Sequence, residues 1–483
     1  MNLRLWVLCF TLFGCSIQTT YATRADTAQQ PPREDREPEA ATGVSTNKIA
    51  IGEEFMVASA NPYATWAGKR IIEQGGDAID AAVAIQAMLT LVEPQSSGIG
   101  GGAFILYWDN QKKKLFTYDG RETAPASADA NIFEKDGEIM SWRDAVVGGN
   151  SVGVPGVLRA LEMAHSAHGN LDWSALFDDA IDRSTNGFQV SPRLARLLSI
   201  DIHPGMHAFV ESSSYFKSEG AFLKEGFIRK NKLLAETLTN IAAEGTDYFY
   251  TGEMAQRIVD TVRFASINPG KLRVKDLKEY EAVKRSPMCG FYRSYKVCGM
   301  APPSSGGVTV MQILKGLEPF ELSKYGPDSA EFVHLFSQAS ALAFADREYF
   351  VADLDFLGIS PVPLVNPRYM SERASLISLN KPLKKAKPGK PYAELSVGQD
   401  NALELSNTSH ISIVDKQGNA VSMTSSVEFM FGSGLMVGGF MLNNQLTDFS
   451  LDPQRNGEPV LNRVQARKRP RSAMSPTMVF DKD

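Results

Sequence analysis

Apolar residues recur at helical spacing from Asn61 to Gln74 and from Ala78 to Leu91, two Ala-rich stretches parted by Gly75-Gly76-Asp77, which predicts two consecutive helices. A glycine loop, Glu93 to Gly102, then leads into Ala103-Phe104-Ile105-Leu106-Tyr107-Trp108. That run and Lys114-Leu115-Phe116-Thr117-Tyr118 flank Asp109-Asn110-Gln111 and predict a hairpin. Residues 155–350 are mostly helical in pattern, most clearly from Ala330 to Ala345. Residues 380–407 change character: five lysines (381, 384, 385, 387, 390) are interleaved with Pro382, Pro388, Gly389 and Pro391, which reads as an extended, poorly packed connector. Directly after it, Ile411-Ser412-Ile413-Val414 and Ala420-Val421-Ser422-Met423-Thr424 alternate around Lys416-Gln417-Gly418-Asn419, a second hairpin. Asn407-Thr408-Ser409-His410 therefore sits where a solvent-exposed segment enters a core hairpin.

The first residues read as an export signal: Arg4, a short apolar run from Leu5 to Phe13, and a small-residue exit after Thr20-Tyr21-Ala22. The run is too short to span a bilayer, which needs about 20 residues. The layout gives a signal at 1–22, a polar, disordered segment at 23–47, and a periplasmic or extracellular location. Leu12-Phe13-Gly14-Cys15 offers a lipoprotein box instead, and membrane attachment is expected only if Cys15 is lipidated. Two cysteines remain, Cys289 and Cys298, flanking Gly290 to Val297 in a pattern of two short strands. Facing positions there permit a disulfide, and two small buried thiols fit equally well.

With 50 Lys+Arg against 55 Asp+Glu the net charge is −5, which argues against a nucleic-acid partner. Hydrophobic residues at 43% and charged residues at 22% exclude a disordered chain. Gly149-Asn150-Ser151-Val152-Gly153 matches the nucleophile elbow of α/β-hydrolases, yet Val154-Pro155-Gly156 follows where a helix is required. The six His show no metal-ligand pattern: His165 and His168 lie at a helix end that Ser166 and Gly169 mark as solvated, and His203 and His207 bracket Pro204-Gly205. No metal and no organic cofactor are expected.

Hydroxyl side chains crowd residues 404–477. Strand propensity accounts for many of them, but a Thr at the start of a strand, after a connector, has another use. If the chain is cut before Thr408, its hydroxyl and a new α-amine belong to one residue. A free α-amine has a pKa of about 7.7–8.0 and can act as general base near neutrality. Activation of a Thr hydroxyl by its own terminal amine is an established route to a nucleophile.

At these residues the sequence resembles the gamma-glutamyltransferase (glutathione hydrolase) family of N-terminal-nucleophile hydrolases, over nearly everything from Ala50 onward. The marks are Glu93-Pro94 through Gly102, Asp119-Gly120-Arg121-Glu122, Ser151 to Gly156, Pro302-Pro303-Ser304-Ser305-Gly306-Gly307, Thr408-Ser409-His410, Asn443 to Ser450, and Met474-Ser475-Pro476-Thr477. The resemblance implies an α/β fold, the four-layer αββα sandwich, made as one precursor that cuts itself between Asn407 and Thr408. Residues 48–407 then form the large subunit and 408–483 the small one. It implies Thr408 as nucleophile towards γ-glutamyl amides such as glutathione, with water or an amino acid or peptide as acceptor. It further implies Ser426 as the hydroxyl supporting the nucleophile, Arg121 and Ser472 on the donor's α-carboxylate, and Gln445 and Asp448 around its α-ammonium. Glu428 stands where the best-known members have Asn, and Ala473 replaces a second serine. Residues 451–468 are shorter than the usual lid and lack Tyr. The family's oxyanion diglycine lies beyond Thr477, so a sandwich incomplete at its C-terminus, and a truncated chain with little activity, are expected from the stop at Asp483. Two alternatives follow from the departures: a glutaryl or β-lactam side-chain acylase of the same fold, and an inactive remnant.

Overall fold

Two antiparallel sheets lie face to face, with helices over their outer surfaces, in a computed structural model that describes residues 49–403 and 407–481. The export signal, the 23–47 segment and Cys15 fall outside those residues. In chain order the elements that build the layers are β1 (Met56–Ala58), α1 (Pro62–Glu73), α2 (Ala78–Val92), β2 (Gly102–Asp109), β3 (Lys114–Gly120) and α3 (Val157–His168). They continue with β4 (Val283–Arg285), β5 (Met288–Tyr292), β6 (Tyr295–Gly299), α4 (Gly306–Leu317), α5 (Ala330–Phe350) and α6 (Pro367–Ala374). The last are β7 (Ser409–Val414), β8 (Ala420–Ser426) and β9 (Thr477–Phe480).

The first sheet has the order β1-β7-β8-β2-β3-β4 and the second β5-β6-β9, with every neighbouring pair antiparallel. Strands from after Thr408 thus lie between strands from before it. Period-two alternation divides the faces of the first sheet. Ala103, Ile105, Tyr107, Ile411, Ile413, Val421 and Met423 join the large core under α1, α2 and α3. Phe104 and Leu106 point the other way and meet Met300 and Met474 between the sheets. Helices α4, α5 and α6 pack beyond the second sheet.

Local chemistry fixes the element ends. Asn61 caps α1 ahead of Pro62, and Asp77 with Asp80 forms a capping box on α2. All fifteen residues of α2 are buried, as befits a helix apolar on every side. In the β7–β8 turn Asp415 accepts hydrogen bonds from the Gln417 and Asn419 amides (2.9 Å each) and from the Ala78 amide (3.1 Å), joining the hairpin to the start of α2. Cys289 and Cys298 face each other across β5 and β6 and are joined by a disulfide.

Two expectations from sequence need correction. The end of α3 is solvated on one face only: Ser166 and Ala167 are exposed, but His165 pairs with buried Asp80 at 3.3 Å, and His168 bonds the Tyr118 hydroxyl at 2.6 Å while packing on Tyr107. Small polar neighbours marked the helix end but not the aromatic strands beneath it. Nor is the connector loose throughout. Leu383 and Ala386 pack against the α4–α5 cluster, and Tyr392, Leu395 and Val397 pack beside Phe350 and Leu354. Its lysines lie on the solvent side of a chain pinned by a few apolar contacts. Ser151 is fully buried and donates to the Val146 and Gly148 carbonyls at 2.7 and 3.0 Å, a structural role. Among the described residues no helix is long and apolar enough to cross a membrane.

Candidate active site

The glycine loop forms the floor of the site by close approach rather than by turn geometry. A Cβ on Gly101 would fall 2.1 Å from the Ser426 carbonyl oxygen, and one on Gly100 would fall 2.1 Å from that of Met441. Ser97 donates to Ser409 at 2.9 Å, tying the loop to the start of β7.

Asn407 is already buried, so the chain leaves solvent before Thr408 rather than at it. The Asn407 side chain donates to the Gln95 carbonyl at 2.7 Å. Its own carbonyl accepts a 2.9 Å hydrogen bond from Ser426 Oγ, and Ser426 Oγ accepts from the Glu428 amide at 2.9 Å. Thr408 itself is partly exposed. The bond between Asn407 and Thr408 therefore lies under a side-chain hydroxyl that donates to its carbonyl oxygen.

Arg121 follows β3 directly and is fully buried. Its guanidinium donates to Asp448, to the Arg471 carbonyl at 2.7 Å and to the Pro470 carbonyl at 3.2 Å, and lies 3.5 Å from Glu122. The Tyr280 hydroxyl donates to the Arg121 carbonyl at 2.7 Å. Asp448 ends a short 3₁₀ turn, Gln445–Asp448, which Asn443 and Asn444 hold in place. Asn443 bridges the Gly100 and Gly153 carbonyls (2.8 and 3.0 Å), and its oxygen accepts from the Gly153 and Gln445 amides. Asn444 donates to Glu428 and accepts from the Phe429 amide. Burial, then the neighbouring Asp448 carboxylate, pushes Glu428 well above the usual carboxyl range. Burial likewise pushes Glu122 up to about 8, against the pull of Arg121. Glu428 Oε1, Glu122 Oε1 and Gln445 Oε1 are buried without a hydrogen-bond partner among the described residues.

Ser472 is buried beside the Pro302-to-Ser305 corner: its amide donates to the Pro303 carbonyl (2.9 Å), and its carbonyl accepts from the Ser305 amide (2.8 Å) and hydroxyl (2.9 Å). Ala473, next to it, is exposed.

The structure thus joins Asn407, Ser426, Glu428, Asp448 and Arg121 through a continuous run of contacts, with Gln445 and Ser472 on the segments that hold them. The cysteine pair sits in the β5–β6 hairpin and takes no part. Glu122, Asn443 and Asn444 were not singled out from sequence as site residues. All three lie inside the motifs quoted above, but only tertiary structure shows that Asn443 ties the glycine loop to Gly153.

A threonine entering an interior strand of a face-to-face sheet pair, between helical layers, is the arrangement of the αββα N-terminal-nucleophile hydrolases. The model of one family within that class, gamma-glutamyltranspeptidase, matches residues 64–483, and the chain belongs to this family. The glutathione hydrolase proenzyme of Bacillus subtilis strain 168 is 37% identical over 446 residues, covering 90% of this chain and 74% of that protein. Helicobacter pylori gamma-glutamyltranspeptidase superposes with a TM-score of 0.67 at 32% identity, over 73% of this chain and 99% of that one. A cephalosporin acylase from Bacillus halodurans superposes with a TM-score of 0.77 at 27% identity, over 92% of this chain and 78% of that one.

Proposed function

We propose that the chain is the precursor of a gamma-glutamyl hydrolase and transpeptidase, acting on glutathione and other γ-glutamyl amides. The observation that carries this reading is the Ser426 hydrogen bond to the Asn407 carbonyl, near the buried Arg121–Asp448 ion pair.

In maturation Thr408 Oγ attacks the Asn407 carbonyl carbon while Ser426 Oγ stabilises the developing oxyanion. The peptide C–N bond breaks, leaving an ester on Thr408 and a free α-amine, and water cleaves the ester. In turnover that amine takes the proton from Thr408 Oγ, which attacks the donor's γ-carbonyl. The leaving amine departs protonated, and water or the amino group of an amino acid or peptide resolves the acyl-enzyme. The donor head group is a zwitterion, and Arg121 paired with Asp448 is a matching pair of opposite sign. The α-carboxylate takes Arg121 and Ser472, and the α-ammonium takes Asp448, Glu428 and Gln445. Nothing in this scheme calls for a metal or cofactor. The name proenzyme on the B. subtilis relative supports the self-cleavage step. Export, guided by residues 1–22, belongs to the same reading.

Thr408→Ala tests it: the variant stays one band on a denaturing gel, where the wild type gives two and a new amino terminus at Thr408. Two bands from the variant overturn the assignment of the nucleophile. A second reading, amide acylase, is favoured by the likeness to cephalosporin acylase together with Glu428 and Ala473. Faster turnover of a glutaryl than of a γ-glutamyl anilide would establish it.

A further inference from the structure

We propose that Asp400 is a positioning residue for self-cleavage, anchoring the chain upstream of the Asn407–Thr408 bond to the buried cluster that holds Arg121 and Asp448. The inference rests on the reading of that bond as the one cut.

Asp400 lies in the connector, yet only 2% of its surface is exposed. Its Oδ2 accepts from Asn462 Nδ2 at 2.8 Å and from the Arg471 guanidinium at 3.2 Å. Its Oδ1 accepts from the Ala402 amide at 2.8 Å, and its own amide donates to the Glu348 carbonyl at 2.8 Å. Arg471 is fully buried, so it needs a buried counter-charge; Asp400 supplies one from the connector and Glu348, at 3.5 Å, another from α5.

Both partners of Asp400 reach the Arg121–Asp448 pair by a single further contact. Asn462 Nδ2 donates to the Asp448 carbonyl at 2.7 Å, and the Arg471 carbonyl accepts from Arg121 at 2.7 Å. At the other end Asn407 is held by Gln95 and Ser426. The segment carrying the scissile carbonyl is therefore tied at both ends, with residues 401–406 between the ties. Fixing both ends narrows the positions the carbonyl can take relative to Thr408 Oγ and Ser426 Oγ, which is how positioning groups raise an intramolecular rate. The Asp400 carboxylate does no chemistry in this role.

The test is a time course of cleavage of freshly synthesised full chain, read on denaturing gels. Asp400→Ala lengthens the half-time by about tenfold or more, and Asp400→Asn, which keeps the shape and loses the charge, by a smaller factor. Glu348→Gln removes a second counter-charge of Arg471 while keeping the backbone carbonyl that holds the Asp400 amide, and stays within about threefold of wild type. Near-ultraviolet circular dichroism of Asp400→Ala in a Thr408→Ala background checks folding without cleavage. If Asp400→Ala does not fold, Asp400→Asn decides. Wild-type cleavage rates in the Asp400 variants overturn the proposal, and so does equal slowing in Glu348→Gln, which would assign the effect to charge balance. A wild type with no new terminus at Thr408 sinks the underlying reading instead, and is distinguishable because no variant is needed to see it.

Discussion

Ser426 Oγ donates to the carbonyl oxygen of Asn407 at 2.9 Å, across the open end of the β7–β8 pair. The hydroxyl is itself oriented by the Glu428 amide, which donates to it at 2.9 Å, so its own proton is directed at the carbonyl. Attack on that carbonyl moves negative charge onto the oxygen the hydroxyl already faces. Ser426→Ala is expected to slow self-cleavage by about 10²–10³-fold, the usual cost of one oxyanion donor. Ser426→Thr, which keeps the hydroxyl, is expected to remain within about tenfold of wild type. Cleavage half-times on denaturing gels read both.

Glu428 and Asp448 place two buried carboxyls around the Asn444 turn, with Arg121 on Asp448. A carboxyl whose folded pKa is raised stabilises the fold below its unfolded pKa and loses that contribution as pH rises through the folded value. Glu428→Asn removes the carboxyl and is expected to raise the melting temperature at pH 8 but not at pH 4. It also removes one carboxyl acceptor for a donor ammonium, expected to raise KM for γ-glutamyl anilides about tenfold with little change in kcat. Thermal melts at the two pH values and initial-rate kinetics check the two halves separately.

Much of this arrangement was legible in the sequence because it rests on local signals. The α1–α2 break, the β2–β3 and β7–β8 hairpins and the glycine loop each follow from short-range periodicity and turn residues. Thr408 drew attention by its place before an alternating strand, and the collinear motifs then supplied Arg121, Ser426 and Asp448 together. What stayed hidden depends on contacts distant in sequence. Asp400 reads as one more polar residue in a Pro- and Lys-rich connector, and only the buried Arg471 guanidinium, which faces it, gives it a role. The His165–Asp80 pair likewise joins two helices whose sequences carry no sign of each other.

The disulfide between Cys289 and Cys298 closes a short loop across a hairpin that is already paired residue by residue. Its effect falls mainly on the unfolded chain, and a short loop puts it at the low end, about 2 kcal/mol. The Cys289→Ser/Cys298→Ser double variant is expected to lose about that much unfolding free energy, read from denaturant melts, while leaving cleavage at Thr408 unchanged. Loss of cleavage in the folded double variant would show that the second sheet steers the site.

His165 and Asp80 form the ion pair that fastens the end of α3 to the start of α2, and their pKa shifts have opposite signs. The Asp80 carboxylate raises His165 above its ordinary value, outweighing burial; burial works to raise Asp80, but hydrogen bonds from His165 and the Asp77, Asn170 and Leu171 amides together outweigh it and hold Asp80 below its own. A raised His stabilises fully below its unfolded pKa of about 6.5, and that contribution fades as pH rises through the folded value. A lowered Asp stabilises above about 3.9, and that contribution fades as pH falls through the folded value. The pair is thus at full strength between about pH 4 and 6.5. Asp77, pushed up to about 7 by burial and by the Asp80 and Asp415 charges, contributes fully only below about pH 4 and loses that contribution as pH rises to about 7. His165→Gln keeps a donor for the Leu171 carbonyl but cannot carry charge. It is expected to cost about 1 kcal/mol at pH 5.5 and clearly less at pH 9, read from urea midpoints at the two pH values. An equal cost at both would mean that the ring acts by packing on Trp173 rather than by its charge.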